Sequence, residues 1–300
     1  MSQTTLVPPN RVQVWRAAIR PATLWAGAVP VLVGTALAVS DGYGAWAPAL
    51  AALAGALLIQ IGSNLVNDYA DFARGADGPQ RVGPPRATAQ GWLTARQVAW
   101  GAAGALFAAA AVGVYIVWIG GWPLLAVGVA SLVCAVAYTA GPFPLGYHGL
   151  GDPFVFLFFG LAAVCGTYYL QTGDVSAGSV CAAVAVGSLA TAILVVNNLR
   201  DRHTDARVGK RTLAVRLGAT GARLEYSGLL CLSYAAVVYA VATHRGGVGW
   251  LLVFASAPMA LREARAVWTQ DGAQLNAHLG GTARLELVFG ALLALGASLW

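Results

Sequence analysis

The sequence predicts an all-α integral membrane protein, a single bundle of about nine transmembrane helices. Three observations carry that prediction. The 300 residues are 58% hydrophobic and only 10% charged, whereas a soluble domain carries about 25% charged residues. Charge-free apolar runs of about 20 residues recur along the whole length, as a helix needs to cross a hydrocarbon core about 30 Å thick. The runs are too long for buried strands and lack the weak alternation of a membrane barrel. Helices satisfy their own backbone hydrogen bonds in lipid, so the spans are helical.

In chain order the spans are read at residues 22–40, 45–70, 96–118, 122–140, 153–171, 176–199, 222–243, 247–263 and 280–299. Ahead of the first, Asn10 to Arg20 reads as an interfacial helix. The first twenty residues hold Pro8, Pro9, Arg11, Arg16 and Arg20 and no charge-free hydrophobic region, so no cleavable signal peptide is expected. Cys134, Cys165, Cys181 and Cys231 fall inside spans without metal-ligand spacing and read as small packing residues.

Basic residues set the orientation. With the N-terminus inside, every Arg and Lys except Arg245 falls on the inner side, the asymmetry of the positive-inside rule. This predicts a multi-pass protein of the cell inner (cytoplasmic) membrane with its N-terminus and polar loops at the cytoplasmic face. The net charge of +6 is mostly that asymmetry. Because the basic residues are tied to membrane-flanking loops, a nucleic-acid partner is not expected.

Two helix ends break the apolar pattern. The first, Ser63 to Asp77, carries Asn64, Asn67, Asp68, Asp71 and Asp77. The second, in Val195 to Gly218, carries Asn197, Asn198, Asp201, Asp205 and Lys210. Asp201 and Asp205 are four apart, with Asn198 one turn earlier, so all three share a helix face. Asn64, Asn67 and Asp71 repeat the same 0, 3, 7 spacing, and Arg-Val-Gly recurs at 81–83 and 207–209. These matches suggest an internal duplication, with polar motifs at 64–77 and 197–210. Each motif runs into a long basic loop, 72–95 or 200–221, of the kind that often forms a lid.

Asp68, Asp71, Asp77, Asp201 and Asp205 would repel one another unless cations stood between them. Hard carboxylate oxygens suit Mg²⁺, which takes one or two carboxylates and leaves its other positions to water and substrate phosphates. Asn64, Asn67, Asn197 and Asn198 add neutral oxygens or donors for phosphate, and Lys210, Arg81, Arg207 and Arg211 add positive charge. A Mg²⁺-diphosphate cradle above a greasy interior fits a polyprenyl diphosphate. Solvated helix caps are the plain alternative for one such cluster. Two matched clusters, each followed by a glycine-bearing basic loop, favour a ligand site.

These residues resemble the UbiA superfamily of intramembrane aromatic prenyltransferases, and within it the 1,4-dihydroxy-2-naphthoate polyprenyltransferases of menaquinone synthesis, the MenA family. The matching strings are Asn64-x-x-Asn67-Asp68-x-x-Asp71-x-x-x-Gly75-x-Asp77, "RVGPPRA" from Arg81, "YTAGPFPLGYHGLGDPFVFLFFG" from Tyr138, "NNLRDRHTDARVGKRTLAVRLG" from Asn197, and "RPATL" from Arg20. The wider superfamily often has an aspartate four residues past Asp71. Here that position is Gly75 and the acid is Asp77, as is usual in the naphthoate branch.

The resemblance implies a nine-helix bundle around a central cavity, with aspartates of both motifs holding Mg²⁺ and the prenyl diphosphate. It also implies prenylation of 1,4-dihydroxy-2-naphthoate with loss of CO₂, giving a demethylmenaquinol. Tyr138, Tyr147 or Phe143 would then face the allylic cation, and Arg20 or Arg81 would hold the acceptor carboxylate. A sister enzyme using 4-hydroxybenzoate, homogentisate or a chlorin is the nearest competing reading. A cation-coupled transporter is the reading from another class. Asp152 is left between a helix cap and a site role. Glu225, Glu286, His244 and His278 are given no partner, and Tyr168 and Tyr169 are placed in the membrane belt.

Overall fold

The structure, a computed structural model, describes residues 10–76 and 81–299. Asp77, one of the expected metal ligands, and the segment 1–9 lie outside the described residues. Those that are described form helices and connecting turns, with no strand. The order is α1 (Arg11–Ile19), α2 (Pro21–Ser40), α3 (Trp46–Ala73), α4 (Ala95–Ala137), a 3₁₀ turn (Leu145–His148) and α5 (Gly151–Val155). A π-helical stretch (Phe156–Cys165) leads into α6 (Gly166–Thr172), followed by α7 (Ala177–Arg207) and α8 (Leu213–Ala242). A 3₁₀ segment (Val248–Ser256), α9 (Ala257–Thr269) and α10 (Leu275–Ser298) complete the chain.

Among the described residues, seven helical stretches are long and apolar enough to cross a bilayer, counting Gly151–Thr172 as one. One of them, α4, contains two expected spans. Gly101 and Leu106 of its first arm pack on Leu65 and Gly62 of α3, and Ile116 reaches Gly55. Thr139 is nevertheless back beside Asn67, to which its hydroxyl donates at 2.6 Å. The chain must therefore reverse inside α4, and it does so at Gly121, where φ is 69°, a conformation that favours glycine. The expected span 247–263 is divided between the 3₁₀ segment and α9.

Local chemistry starts these helices where it should. Asn10 with Gln13 and Thr94 with Gln97 make reciprocal capping boxes for α1 and α4. Ser176 and Thr212 cap α7 and α8. Packing then separates two halves. The apolar window of α7 is 83% buried, that of α4 only 11%, so α7 is the axis of the bundle and α4 a lipid-facing wall. Phe107, Trp118 and Trp122 on α4 are exposed accordingly. The buried face of α7 is mostly small, with Ala182, Ala183, Ala185, Val186 and Ala192, which lets neighbouring backbones come close. Where α7 crosses the π-helical stretch, a Cβ on Gly187 would lie 2.7 Å from the Gly160 α-carbon, and one on Gly160 would lie 2.7 Å from the Ala183 carbonyl oxygen.

Two expectations change here. Tyr168 does not stand in a membrane belt: it is buried and donates a 2.5 Å hydrogen bond to Asp41. Nor is His278 alone, because its Nδ1 lies 2.6 Å from Glu263 Oε2, which joins α10 to α9. Both partners are too distant in sequence for spacing to reveal them.

The Gly160–Gly187 contact sets a first prediction. Gly187→Ala should cost about 1–3 kcal/mol by overpacking and Gly187→Leu should prevent a monodisperse bundle. Gly113→Ala, inside α4 and with open space around its Cβ, should hold or slightly raise stability. Thermal denaturation and size-exclusion profiles in detergent measure all three.

Candidate active site

The polar ends of α3 and α7 meet at one end of the bundle. On α3, Asp71 is 4% exposed. Its Oδ1 accepts a 2.9 Å hydrogen bond from the Tyr147 hydroxyl, and Arg86 lies 3.6 Å from its Oδ2. Burial first, and then the Asp71 carboxylate, hold the Tyr147 hydroxyl well above the ordinary phenol range, so it remains a donor. The ring of Tyr147 carries two cations, with Arg74 at 5.1 Å and Lys210 at 5.5 Å from its centroid.

On α7, Arg200 grips both oxygens of Asp201, at 2.8 Å through Nε and 2.5 Å through Nη2, a buried bidentate pair. The same Nη2 donates to Asn197 Oδ1 at 2.8 Å, and Nη1 to Asn276 Oδ1 at 3.1 Å. Asn276 in turn donates to the Val82 carbonyl, which ties α10 and the first loop to the second motif. One turn beyond Asp201, Asp205 Oδ1 lies 3.6 Å from Lys210 Nζ. The Arg211 backbone N–H donates to the Tyr147 carbonyl, so the loop after α7 is strapped to the turn that presents Tyr147.

Lys210 stands where the motifs converge. Burial opposes its charge, but the carboxylates of Asp205, Asp71 and Asp201 outweigh that and hold its pKa above the usual lysine value. Arg81 belongs to the same field; its Nε donates to the Pro84 carbonyl, and its Nη2 and the guanidinium of Arg200 both lie against Gly83. The cations expected between the aspartates are thus partly the protein's own: Arg86, Arg200 and Lys210.

The donor set also fits a divalent cation shared with a ligand. Asp205 Oδ2 is buried without a hydrogen-bond partner among the described residues. No three acids, cysteines or histidines among those residues converge on one point. That leaves one or two carboxylates per ion, the pattern of Mg²⁺ completed by water and phosphate oxygens.

Several expected site residues do other work. Asp68 is 1% exposed, and its oxygens accept the backbone N–H groups of Ala87 and Thr88 at 3.2 and 3.4 Å. It anchors the loop instead of facing the other aspartates. The Asn64 amide donates to the Ile19 carbonyl and to Thr23, while Arg20, at the left-handed joint between α1 and α2, donates to the Asn64 carbonyl. Asn64 is therefore a tether for the N-terminal helices. Asn67 holds Thr139 and Asn197 holds Arg200, while Asn198 is buried on the face of Asp201 and Asp205. Phe143, 55% exposed and stacked on His148, is far from an enclosed cation site. Arg86, Arg200 and Asn276 were not anticipated. The position of Arg200, between Asn197 and Asp201, could have flagged it; nothing in the sequence marks Asn276.

Behind the polar rim lies a cavity of about 460 Å³. Gly27, Ala56, Gly113, Leu132 and Phe158 line it, and Ser63 and Tyr138 stand among its few polar residues. It belongs to the α2–α6 half of the bundle. Of the three aromatic residues expected to face a cation, Tyr138 lines this space, whereas Tyr147 serves the polar rim.

The UbiA prenyltransferase family model matches residues 27–289. The chain is 41% identical over 260 residues to the 1,4-dihydroxy-2-naphthoate octaprenyltransferase of Mycobacterium tuberculosis, covering 86% of this chain and 87% of that one. It is 36% identical to the Escherichia coli protein of the same name, covering 96% of each. Among solved structures, a UbiA homolog from Archaeoglobus fulgidus bound to GPP and Mg²⁺ superposes with a TM-score of 0.65 at 15% identity, covering 93% of this chain and 99% of that one. Motifs, fold and likeness agree: this multi-pass membrane chain belongs to the UbiA prenyltransferase family.

Proposed function

We propose that the chain transfers a polyprenyl group from a polyprenyl diphosphate to 1,4-dihydroxy-2-naphthoate, with loss of the carboxylate as CO₂, giving a demethylmenaquinol. The observation that carries this reading is the meeting of two acidic helix ends with Lys210 at the rim of an apolar cavity. Relatives named for that reaction at 36% and 41% identity support the acceptor. The concentration of basic residues at the same end supports a cytoplasmic active face in the inner membrane. The convergence of both motifs there supports an origin by internal duplication.

The residues divide the work. Asp71, Asp201 and Asp205 would hold Mg²⁺, which when bound would offset charge on the departing diphosphate. Lys210, Arg81 and Arg86 take the phosphate oxygens directly. Tyr147 keeps Asp71 oriented by its hydrogen bond, and Asp68 keeps the loop bearing Arg86 in place. The cavity takes the first isoprene units and excludes water from the allylic carbon. As the C–O bond to diphosphate breaks, its electron pair leaves with the phosphate. The Tyr138 face stabilises the resulting cation by about 1–2 kcal/mol. The naphthalene carbon that bears the carboxylate forms the new C–C bond, and the pair from the departing CO₂ restores aromaticity. Arg81 lies in the field of Lys210 and so belongs to the diphosphate. Arg20, half-buried at Asn64, is then the arginine for the acceptor carboxylate.

The deciding assay offers purified protein a polyprenyl diphosphate and Mg²⁺ with the naphthoate or 4-hydroxybenzoate in parallel. Product with CO₂ from the naphthoate alone, abolished by EDTA, is expected; product from 4-hydroxybenzoate instead would change the acceptor. Asp71→Asn and Asp201→Asn should each lower turnover at least a hundredfold, the scale on which a transition-state charge contact acts, with an unchanged size-exclusion profile. Near-normal activity in both would sink the cradle. Lys210→Ala should raise the KM for the diphosphate more than that for the acceptor, and Arg20→Gln should do the reverse. Steady-state kinetics with each substrate varied separates the two.

A further inference from the structure

One acid near the cavity has no part in the account so far. Asp152, at the start of α5, is 4% exposed, and both its carboxylate oxygens are buried without a hydrogen-bond partner among the described residues. It makes no side-chain cap hydrogen bond, although it stands in the first turn of α5, where the helix N-terminus offsets part of its charge. A bare carboxylate in such a place costs several kcal/mol unless something compensates it. Asp71, Asp201 and Asp205 have Arg86, Arg200 and Lys210, whereas no cation pairs with Asp152 among the described residues. Glu225 of α8 lies within electrostatic reach of it and adds a second acid instead of a cation. Packing does not require this arrangement, so a functional reason is the better explanation.

Tyr138 supplies that reason. The residue before Asp152 is Gly151, and a Cβ there would lie 2.8 Å from the Tyr138 hydroxyl oxygen. Gly146 closes on the same ring, where a Cβ would lie 3.2 Å from Tyr138 Cε1. The two glycines seat the ring against the start of α5 while it lines the cavity. Its hydroxyl lies in the field of Asp152, then of Asp71 and Asp205. Once Asp71 and Asp205 are engaged with the charged end of the substrate, Asp152 is, of the three carboxylates acting on the Tyr138 hydroxyl, the one without a cationic partner among the described residues.

We propose that Asp152 is a positioning residue that acts through Tyr138. Its carboxylate draws the Tyr138 O–H toward α5 and turns the oxygen lone pairs and ring face to the cavity, where the allylic carbon becomes positive. The inference rests on the prenyl-transfer reading and deepens it. It also gives the uncompensated burial a consequence: a charge that weakens the fold is retained because it favours ionisation of the substrate.

The test uses the full chain in detergent with Mg²⁺ and geranylgeranyl diphosphate, with and without the naphthoate. Asp152→Asn should lower kcat about 30-fold, which corresponds to about 2 kcal/mol of lost transition-state stabilisation. The KM for the diphosphate should stay within about threefold, and the melting temperature should hold or rise. Asp152→Glu should recover part of the rate. Tyr138→Phe should lose a similar factor, and the double variant should be no slower than the slower single one. A kcat for Asp152→Asn near that of the wild type, a melting temperature that falls with activity, or additive losses in the double variant would overturn the proposal. Diphosphate released without acceptor reports ionisation alone. If the wild type releases it but makes no naphthoate product, the acceptor reading fails and Asp152 is judged on that release.

Discussion

The arrangement depends on holding carboxylates inside a membrane protein at the ends of two helices. Burying a charge in this setting is costly unless it is paired and hydrogen-bonded. Asp68 is satisfied by two backbone N–H groups, Asp71 by Tyr147 and Arg86, Asp201 by Arg200, and Asp205 in part by Lys210. Those partners come from four places: the loop after α3, the turn before α5, the α7 helix itself and the loop after it. The acids therefore gather the loops at their end of the bundle around themselves. The same contacts that lower their electrostatic cost bring both basic loops to the rim of the cavity.

Support and reactivity are divided within a single motif. In Asn64, Asn67, Asp68 and Asp71, three of the four side chains bind other parts of the fold: Asn64 the α1–α2 joint, Asn67 the end of α4, and Asp68 the following loop. Asp71 faces the second motif. In the second motif the roles are reversed in order, with Asn197 and Arg200 bracing Asp201, while Asp205 keeps an oxygen uncommitted. An acidic string read as a uniform row of ligands would miss this, because helical neighbours one residue apart point about 100° away from each other.

The two halves of the bundle differ in the same sense. Around α7, small residues and the Gly160–Gly187 contact give a close-packed core. Between α2, α3, the two arms of α4 and the π-helical stretch, the packing is open enough to leave the cavity. A π-helical turn widens a helix and recurs at functional sites; here Phe158 and Phe159 on it line that space. The close-packed half carries the second acidic motif and the open half carries the apolar volume, so the polar end and the cavity are built from different walls of one bundle.

Composition and charge placement alone determined a great deal: a helical membrane bundle, most of its apolar helices, the clustering of basic residues in the loops beside the acidic helix ends, and the two motifs with the chemistry of their residue types. Those properties are local or additive, so a linear reading captures them. What only the tertiary structure decided is which partner each polar group meets. Arg200 with Asn276, Asp68 with Ala87, Tyr147 with Asp71 and His278 with Glu263 join segments up to 76 residues apart. The reversal at Gly121 and the bare carboxylate of Asp152 are of the same kind. Helical periodicity states which face a residue occupies; only the packing of helices states what stands opposite that face, and in a low-dielectric interior that neighbour sets the energy of every charge.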